Sequence, residues 1–477
     1  MRRLRTAADL AKWTGAGAVR EPGPALPSGA GPGSPAGEPG SDVLPAAETP
    51  SPAPEAAGDP SEKSGMFRSL RNHNYRLFLS GGVVSNVGTW MQRTAQDWLV
   101  LSLTGGSGTA LGITVALQFL PVMLFGMWGG VLADRFPKRP LLMTAQSLMA
   151  ALALAMGVLT VTGHAQVWHV YVMAFTLGLL ACVEVPTRQS FVVEMVGRDD
   201  LSNAIALNSS SFNLARVVGP AVAGLLINWL GGTGPLFLVN ALTFAFTIGG
   251  MLLMRTAELR TPEPVKRGKG QAREGVRYVI GKPDLLLPVL MVGFVAVFAQ
   301  SFTTSIALMA TEVFDAGASA FGIGSSAFAI GAVVGALLAA RRVTPSRRTM
   351  VAAGIAFGAA QIVAAVTPAY WAFLIALVPA GLAMITVQTM ANSTLQLGAS
   401  SEMRGRVMGI YVLVFTAGAP IGAPLIGWIA ELAGPRVGIM VSGLLSLSGV
   451  VLAVLITRLV AARKAMALNP ATASIAV

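Results

Sequence analysis

Apolar residues fill most of this chain in runs of about twenty, broken by short clusters of glycine, proline and charge. A bilayer core about 30 Å thick needs roughly 20 apolar residues to cross as a helix. The pattern therefore predicts twelve membrane-spanning helices, near 77–101, 108–134, 140–162, 166–188, 203–230, 234–254, 285–311, 319–341, 349–367, 369–393, 405–432 and 437–460. The breaks between them carry turn-forming residues, as breakers should. Residues 1–65 lack this pattern and are dominated by Pro, Ala, Gly and Ser. Such a segment buries too little apolar surface to offset its ordering entropy, so a disordered, dispensable tail is expected. Its start, "MRRLRTAADLAKW", has no continuous apolar stretch behind it and does not read as a secretory signal. Met66, opening "MFRSLRNHNYRLFLSGG", is an alternative start for the membrane protein.

Composition agrees. Residues are 53% hydrophobic and only 12% charged, about half the charged share of a soluble protein. The net charge of +12 suggests nucleic acid until the bases are placed on the spans. With the N-terminus cytoplasmic, 25 of the 34 bases fall on the cytoplasmic side and one, Arg436, on the other. This asymmetry is the positive-inside signature. The bases set topology, both termini are expected in the cytoplasm of a multi-pass cell-membrane protein, and nucleic acid is excluded as a partner. A single cysteine, Cys182, cannot form an intrachain disulfide, and His73, His164 and His169 are too scattered for a metal site. No metal and no cofactor is expected.

The longest polar interruption after the tail follows the sixth span and divides the spans six and six. The expected organisation is a tail (1–65), an N-terminal six-helix half (66–254), a cytoplasmic central loop (255–284), a C-terminal half (285–460) and a cytoplasmic C-terminal tail (461–477). The halves resemble each other weakly. At an offset of 203 residues, Gly219 falls on Gly422 and Gly224 on Gly427, while Gly130 and Gly335 each lie near the end of a second span. Parallel six-helix repeats with a pathway between them are a transporter architecture.

After the second span comes "GGVLADRFPKRP". Gly130, Asp134, Arg135, Lys138 and Arg139 match the loop motif between helices 2 and 3 of the major facilitator superfamily, which this chain resembles; Pro137 stands where that family usually has glycine. Other stretches, "NVGTWMQRTAQDWLVLSLT" and "RGRVMGIYVLVFTAGAPIGAPLIGWI" among them, resemble the enterobactin-exporter-type branch of drug and siderophore efflux proteins. "GPAVAG", with Gly219, Pro220 and Gly224, resembles the fifth-helix motif of the superfamily's antiporters. The resemblance implies an all-α membrane protein of the major facilitator fold, with twelve helices in two pseudo-repeats, and proton-driven export. It also implies a gate. Asp134 would face the N-terminus of the eleventh span near Gly405, where the helix dipole stabilises an acid by about 0.3–1 kcal/mol.

Ionisable groups inside spans are costly and usually face a polar cavity or a partner. The first span carries Ser85, Asn86, Thr89, Gln92, Arg93, Gln96 and Asp97. Positions 85, 89, 92 and 96 follow helical spacing and read as one pathway-lining stripe. Arg93 and Asp97 are four residues apart and can pair, with Asp97 a candidate proton carrier. The fifth span carries Ser209, Ser210, Asn213 and Arg216, the last about 20 Å along the helix at 1.5 Å per residue. Gly219, Pro220 and Gly224 provide a smooth packing surface beyond it. Glu184, in the fourth span, is a second candidate acid that can instead pair with Arg188. The second half offers neutral polar candidates, chiefly Gln300, Gln388 and Asn392.

The two six-helix halves favour a secondary active transporter, and the resemblance implies a proton-coupled antiporter exporting small amphipathic molecules such as drugs or siderophores by alternating access. Its partners would be a small-molecule substrate, protons and the lipid bilayer, with the chain a monomer. An importer or symporter is the alternative, followed by a non-transporting membrane receptor. A membrane enzyme is disfavoured because the loops carry no acid pair or metal motif and no phosphate loop occurs.

Overall fold

The computed structural model describes residues 67–259, 271–340 and 345–468. The tail and Met66, residues 260–270 of the central loop, Arg341 and Arg342, and residues 469–477 lie outside them.

The described chain forms helices α1 (His73–Thr104), α2 (Gly108–Arg135), α3 (Lys138–Val161), α4 (Val167–Gly197), α5 (Asp200–Trp229) and α6 (Gly234–Leu252) in its first half. A short amphipathic helix, α7 (Gln271–Ile280), follows. The second half holds α8 (Pro283–Leu308, prolonged by a π turn over Met309–Val313), α9 (Ala318–Ala340), α10 (Arg347–Val366), α11 (Tyr370–Gly398), α12 (Ser401–Ala433) and α13 (Pro435–Leu468). Eleven of these are long and apolar enough to cross a membrane by composition; α1, at 32 residues, is long enough but not among them. Its polar residues lower its hydropathy without shortening it.

Local chemistry sets the boundaries. The Asn72 and Ser107 side chains accept the backbone N–H of Tyr75 and Ala110, capping α1 and α2. Gly105 (φ 63°) ends α1, and Gly197 (φ 73°) breaks the run from Val167 to Trp229 into α4 and α5; only glycine adopts such angles cheaply. Within the segment expected as a loop, α7 docks on the start of α12: Gly275 lies against Arg406 and Ile410, and Arg406 pairs with Glu274 at 2.6 Å.

The internal repeat is realised in the packing. Gly219 of α5 rests on Trp90 and Met91 of α1, and Gly422 of α12 rests on Val297 and Ser301 of α8. Gly224 of α5 meets Ala318, Ser319 and Gly322 of α9, and Gly427 of α12 meets Gly108 and Thr109 of α2. In each half, then, the fifth helix packs on its own first helix and on the second helix of the other half. Residues from both halves, among them Ala223, Ile227, Leu308 and Phe321, share one core. These contacts between halves gather at one end of the bundle, where α2 begins and α12 finishes. At the other end lie Arg71, Arg76, Arg135, Lys138, Arg139, Arg404 and Arg406; it is called the basic end below.

Candidate translocation pathway

The polar residues of α1 divide between two faces. Gly81 and Gly88 bring α1 against Thr247, Asn240 and Thr243 of α6. On that face Gln92 accepts a 2.5 Å hydrogen bond from the Asn240 amide and is only 4% exposed. Ser85 is buried on the same side. The expected stripe of 85, 89, 92 and 96 is therefore turned mostly into the packing of the N-terminal half. Gln96 is 1% exposed, and its amide oxygen has no hydrogen-bond partner. The half-buried face one step round carries Asn86, Thr89, Trp90, Arg93 and Asp97. Asn86 donates to Ser211 of α5 at 3.3 Å. The Arg93 guanidinium lies 5.0 Å from the Trp90 ring centroid and 5.9 Å from that of Phe119 on α2. Asp97, one turn beyond, attracts it electrostatically.

Helix α5 presents the matching wall. One side packs on α1 through Ser211, Ala215 and Gly219, and another on α9 through Val217, Pro220 and Gly224. Between them runs a face that is buried toward the closed end at Ala223 and Ile227 and open toward the basic end at Ile205, Ser209 and Phe212. Arg216 lies on this face, half-buried. Phe212 meets Trp90 edge-on, with centroids 5.6 Å apart. Asn213 donates to the Ser209 carbonyl, so its amide is partly satisfied within its own helix. The opposite side of α5, with Leu214 and Leu225, is apolar and exposed, as a lipid-facing surface should be.

In the C-terminal half Gln300 and Gln388 are half-buried, and Asn392 accepts a short hydrogen bond from Gln396. Tyr411 of α12 approaches Asn392 and stacks with Phe415, their planes 7° apart.

Other candidate residues are bound locally. Glu184 is buried and accepts from Arg188 at 2.5 Å, within one turn of α4. Asp134 and Arg135 are exposed at the end of α2 and Gly130 lies a turn earlier, while Lys138 and Arg139 tie the N-terminal half together. Lys138 pairs with Glu194 of α4 at 3.2 Å, the side chains 12% and 8% exposed. Arg139 donates to the last carbonyls of α6, Met251 and Leu252, at 2.8 and 3.3 Å, where a cation also complements the helix dipole. Gly405, near the start of α12, has open space around it, and the close approach of α2 to α12 is at Gly108 and Gly112.

That approach includes a contact unforeseen in the sequence. Glu431, in the last turn of α12, accepts from the Ser107 hydroxyl and the Thr109 backbone N–H, both at 2.9 Å. A carboxylate of one half thereby satisfies the N-terminus of α2 in the other, the terminal site that helix polarity favours. Asn228 of α5 donates to Ser319 of α9 at 2.7 Å, and Ser326 to the Val217 carbonyl at 2.7 Å. The closed end is thus held by polar clasps as well as by glycine packing.

Residues 64–474 match a family described as transmembrane secretion effector. Over 395 residues the chain is 26% identical to the multidrug efflux pump Tap of Mycobacterium tuberculosis, covering 76% of this chain and 90% of that protein. It is 23% identical over 336 residues to the enterobactin exporter EntS of Salmonella choleraesuis, covering 70% and 80%. In fold it resembles the inward-facing, unoccupied crystal structure of a bacterial homologue of the human lysosomal transporter Spinster, with a TM-score of 0.64 at 14% identity, across 82% of this chain and 97% of the other.

Proposed function

The chain belongs to the transmembrane secretion effector family of the major facilitator superfamily, whose members are transporters and not enzymes, and on that premise we propose that it is a proton-coupled antiporter exporting small amphipathic molecules. The observation that carries this reading is that, among the described residues, the glycine contacts between the two halves gather at one end; the half-buried Arg93, Asp97 and Arg216 are proposed to face the space between the halves beyond those contacts. With the basic end cytoplasmic, as the distribution of bases favours, this is an inward-facing state that loads from the cytoplasm. Alternating access would part the glycine contacts of α2 with α12 and of α5 with α9, and bring the basic ends together. Asp134 would then reach the N-terminus of α12, the gating role its motif implies. Asp97 is the proposed proton carrier: Glu184 is tied to Arg188 by a hydrogen-bonded ion pair, whereas among the described residues Asp97 makes no such bond to Arg93 and only attracts it across one helical turn. The drug and siderophore relatives support export over import. Trp90, Phe119 and Phe212 beside the polar groups suit an amphipathic cargo.

The test is efflux of a panel of dyes, antibiotics and siderophores from cells expressing the full chain, with and without a protonophore. Efflux abolished by the protonophore is the expected result, with Asp97→Asn uncoupled. No efflux of any compound by inserted, folded protein would overturn the exporter reading, and efflux indifferent to the protonophore would overturn proton coupling.

A further inference from the structure

The charges on the interior face do not cancel. Arg93 and Asp97 sit one turn apart on α1 and attract each other. Arg216 has no such partner: among the described residues it makes no ion pair or hydrogen bond. Among the described residues, five carboxylates near the spans are accounted for without it. Glu184 is held by Arg188, Glu194 by Lys138 and Asp200 by Arg68, while Glu312 and Glu431 lie together at the closed end. The candidate residues of the C-terminal half, Gln300, Gln388 and Asn392, are neutral. An arginine at the middle of a span costs several kcal/mol unless something compensates it, and such residues mark substrate or ion pathways.

Arg216 is also placed to be reached. It lies one turn from Phe212 on the face of α5 that opens toward the basic end, with Ser209 on the same side. Phe212 packs edge-on against Trp90, whose ring in turn faces Arg93. An aromatic wall therefore lies beside a guanidinium that, among the described residues, has no counter-charge paired with it. Guanidinium binds carboxylate through two parallel N–H···O bonds, a match an ammonium or a neutral amide cannot offer.

We propose that Arg216 is the anchoring residue for an anionic substrate, and that the cargo is an amphipath with an aromatic or apolar body and a carboxylate or similar oxyanion. The cargo then supplies the counter-charge that the protein lacks. The inference deepens the exporter reading above and rests on it for the direction of movement, but binding itself is measured without flux.

The experiment uses the purified full chain in lipid nanodiscs and three probes of one naphthyl-alkyl skeleton ending in a carboxylate, a primary amide or an ammonium. Equilibrium binding is read by calorimetry, and export of the same probes is followed in cells. The carboxylate should bind about tenfold or more tightly than the amide, as a charge-assisted pair warrants, and the ammonium more weakly than either. Arg216→Gln should abolish this preference with no loss of thermal stability, and Arg216→Lys should retain part of it. Equal binding of the three probes, binding of none, or a carboxylate preference surviving Arg216→Gln would overturn the proposal. Carboxylate binding lost with Arg216→Gln, but without export of any probe, would uphold it and sink the exporter reading instead.

Discussion

Two glycines five residues apart on α5 should respond to the same substitution in different ways. Gly224 lies between the halves. A β-carbon there would stand 2.6 Å from the Ala318 carbonyl oxygen, 2.9 Å from the Ser319 Cα and 3.2 Å from the Gly322 Cα, all backbone atoms of α9. None of these can turn aside as a side-chain tip would, so the helices must separate until the nearest contact passes the 3.4 Å of ordinary packing. Overpacking of this kind costs about 1–3 kcal/mol, and at about 1.4 kcal/mol per decade that is a shift of roughly 5- to 150-fold in any equilibrium that keeps the contact on one side only. Because the contact joins the two halves at the closed end, Gly224→Ala should push the population toward states in which that end is parted. It should leave each half folded. Gly219→Ala meets Trp90 Cβ at 2.5 Å and the Met91 backbone nitrogen at 3.0 Å, both inside the N-terminal half. The same cost should fall there on folding. The assay is spin-label distance measurement across the closed end, on a Cys182→Ala background, with thermal unfolding of each variant alongside. Broadening to longer distances in Gly224→Ala with little loss of thermal stability, and the reverse in Gly219→Ala, is expected. Identical behaviour of the two variants, or an unchanged distance distribution in Gly224→Ala, would refute the assignment of these contacts to gate and scaffold.

Two further predictions follow from polar contacts. Glu431→Gln keeps an acceptor for Ser107 and Thr109 but removes the charge at the α2 N-terminus, worth about 0.3–1 kcal/mol at an exposed helix end; the same distance measurement should show a two- to fivefold loss of the closed-end population, and no change would remove Glu431 from the clasp. Glu194→Gln strands the largely buried Lys138 ammonium, a loss of about 3–5 kcal/mol, which should appear as a large drop in unfolding temperature that the double variant with Lys138→Met largely restores; a double variant no better than the single one would show that the pair acts otherwise.

The approximate number of spans and the internal repeat were legible in the sequence because each is local or periodic. A run of about twenty apolar residues crosses a bilayer whatever its neighbours are, and the offset that aligns Gly219 with Gly422 and Gly224 with Gly427 is carried by the two helices alone. Even the polar character of α1 was visible. Its facing was not. Stripes 85–89–92–96 and 86–89–93–97 are both helically spaced and differ by a small rotation. What separates them is that Gly81 and Gly88 let α6 approach closely enough for Asn240 to take up Gln92, leaving Arg93 and Asp97 half-buried on the neighbouring face. The clasp of Glu431 on Ser107 spans 324 residues of chain and left no local mark. Likewise the motif bases read as topology signals, while their partners, Glu194 for Lys138 and the α6 terminus for Arg139, emerged only from packing. The sequence by itself determined what could lie in the membrane, since that depends on each segment's own transfer to lipid. Which polar groups pair, and which are left to face the interior, was decided by tertiary structure, because a hydrogen bond or ion pair needs a second group brought within about 3 Å by helices distant in the chain.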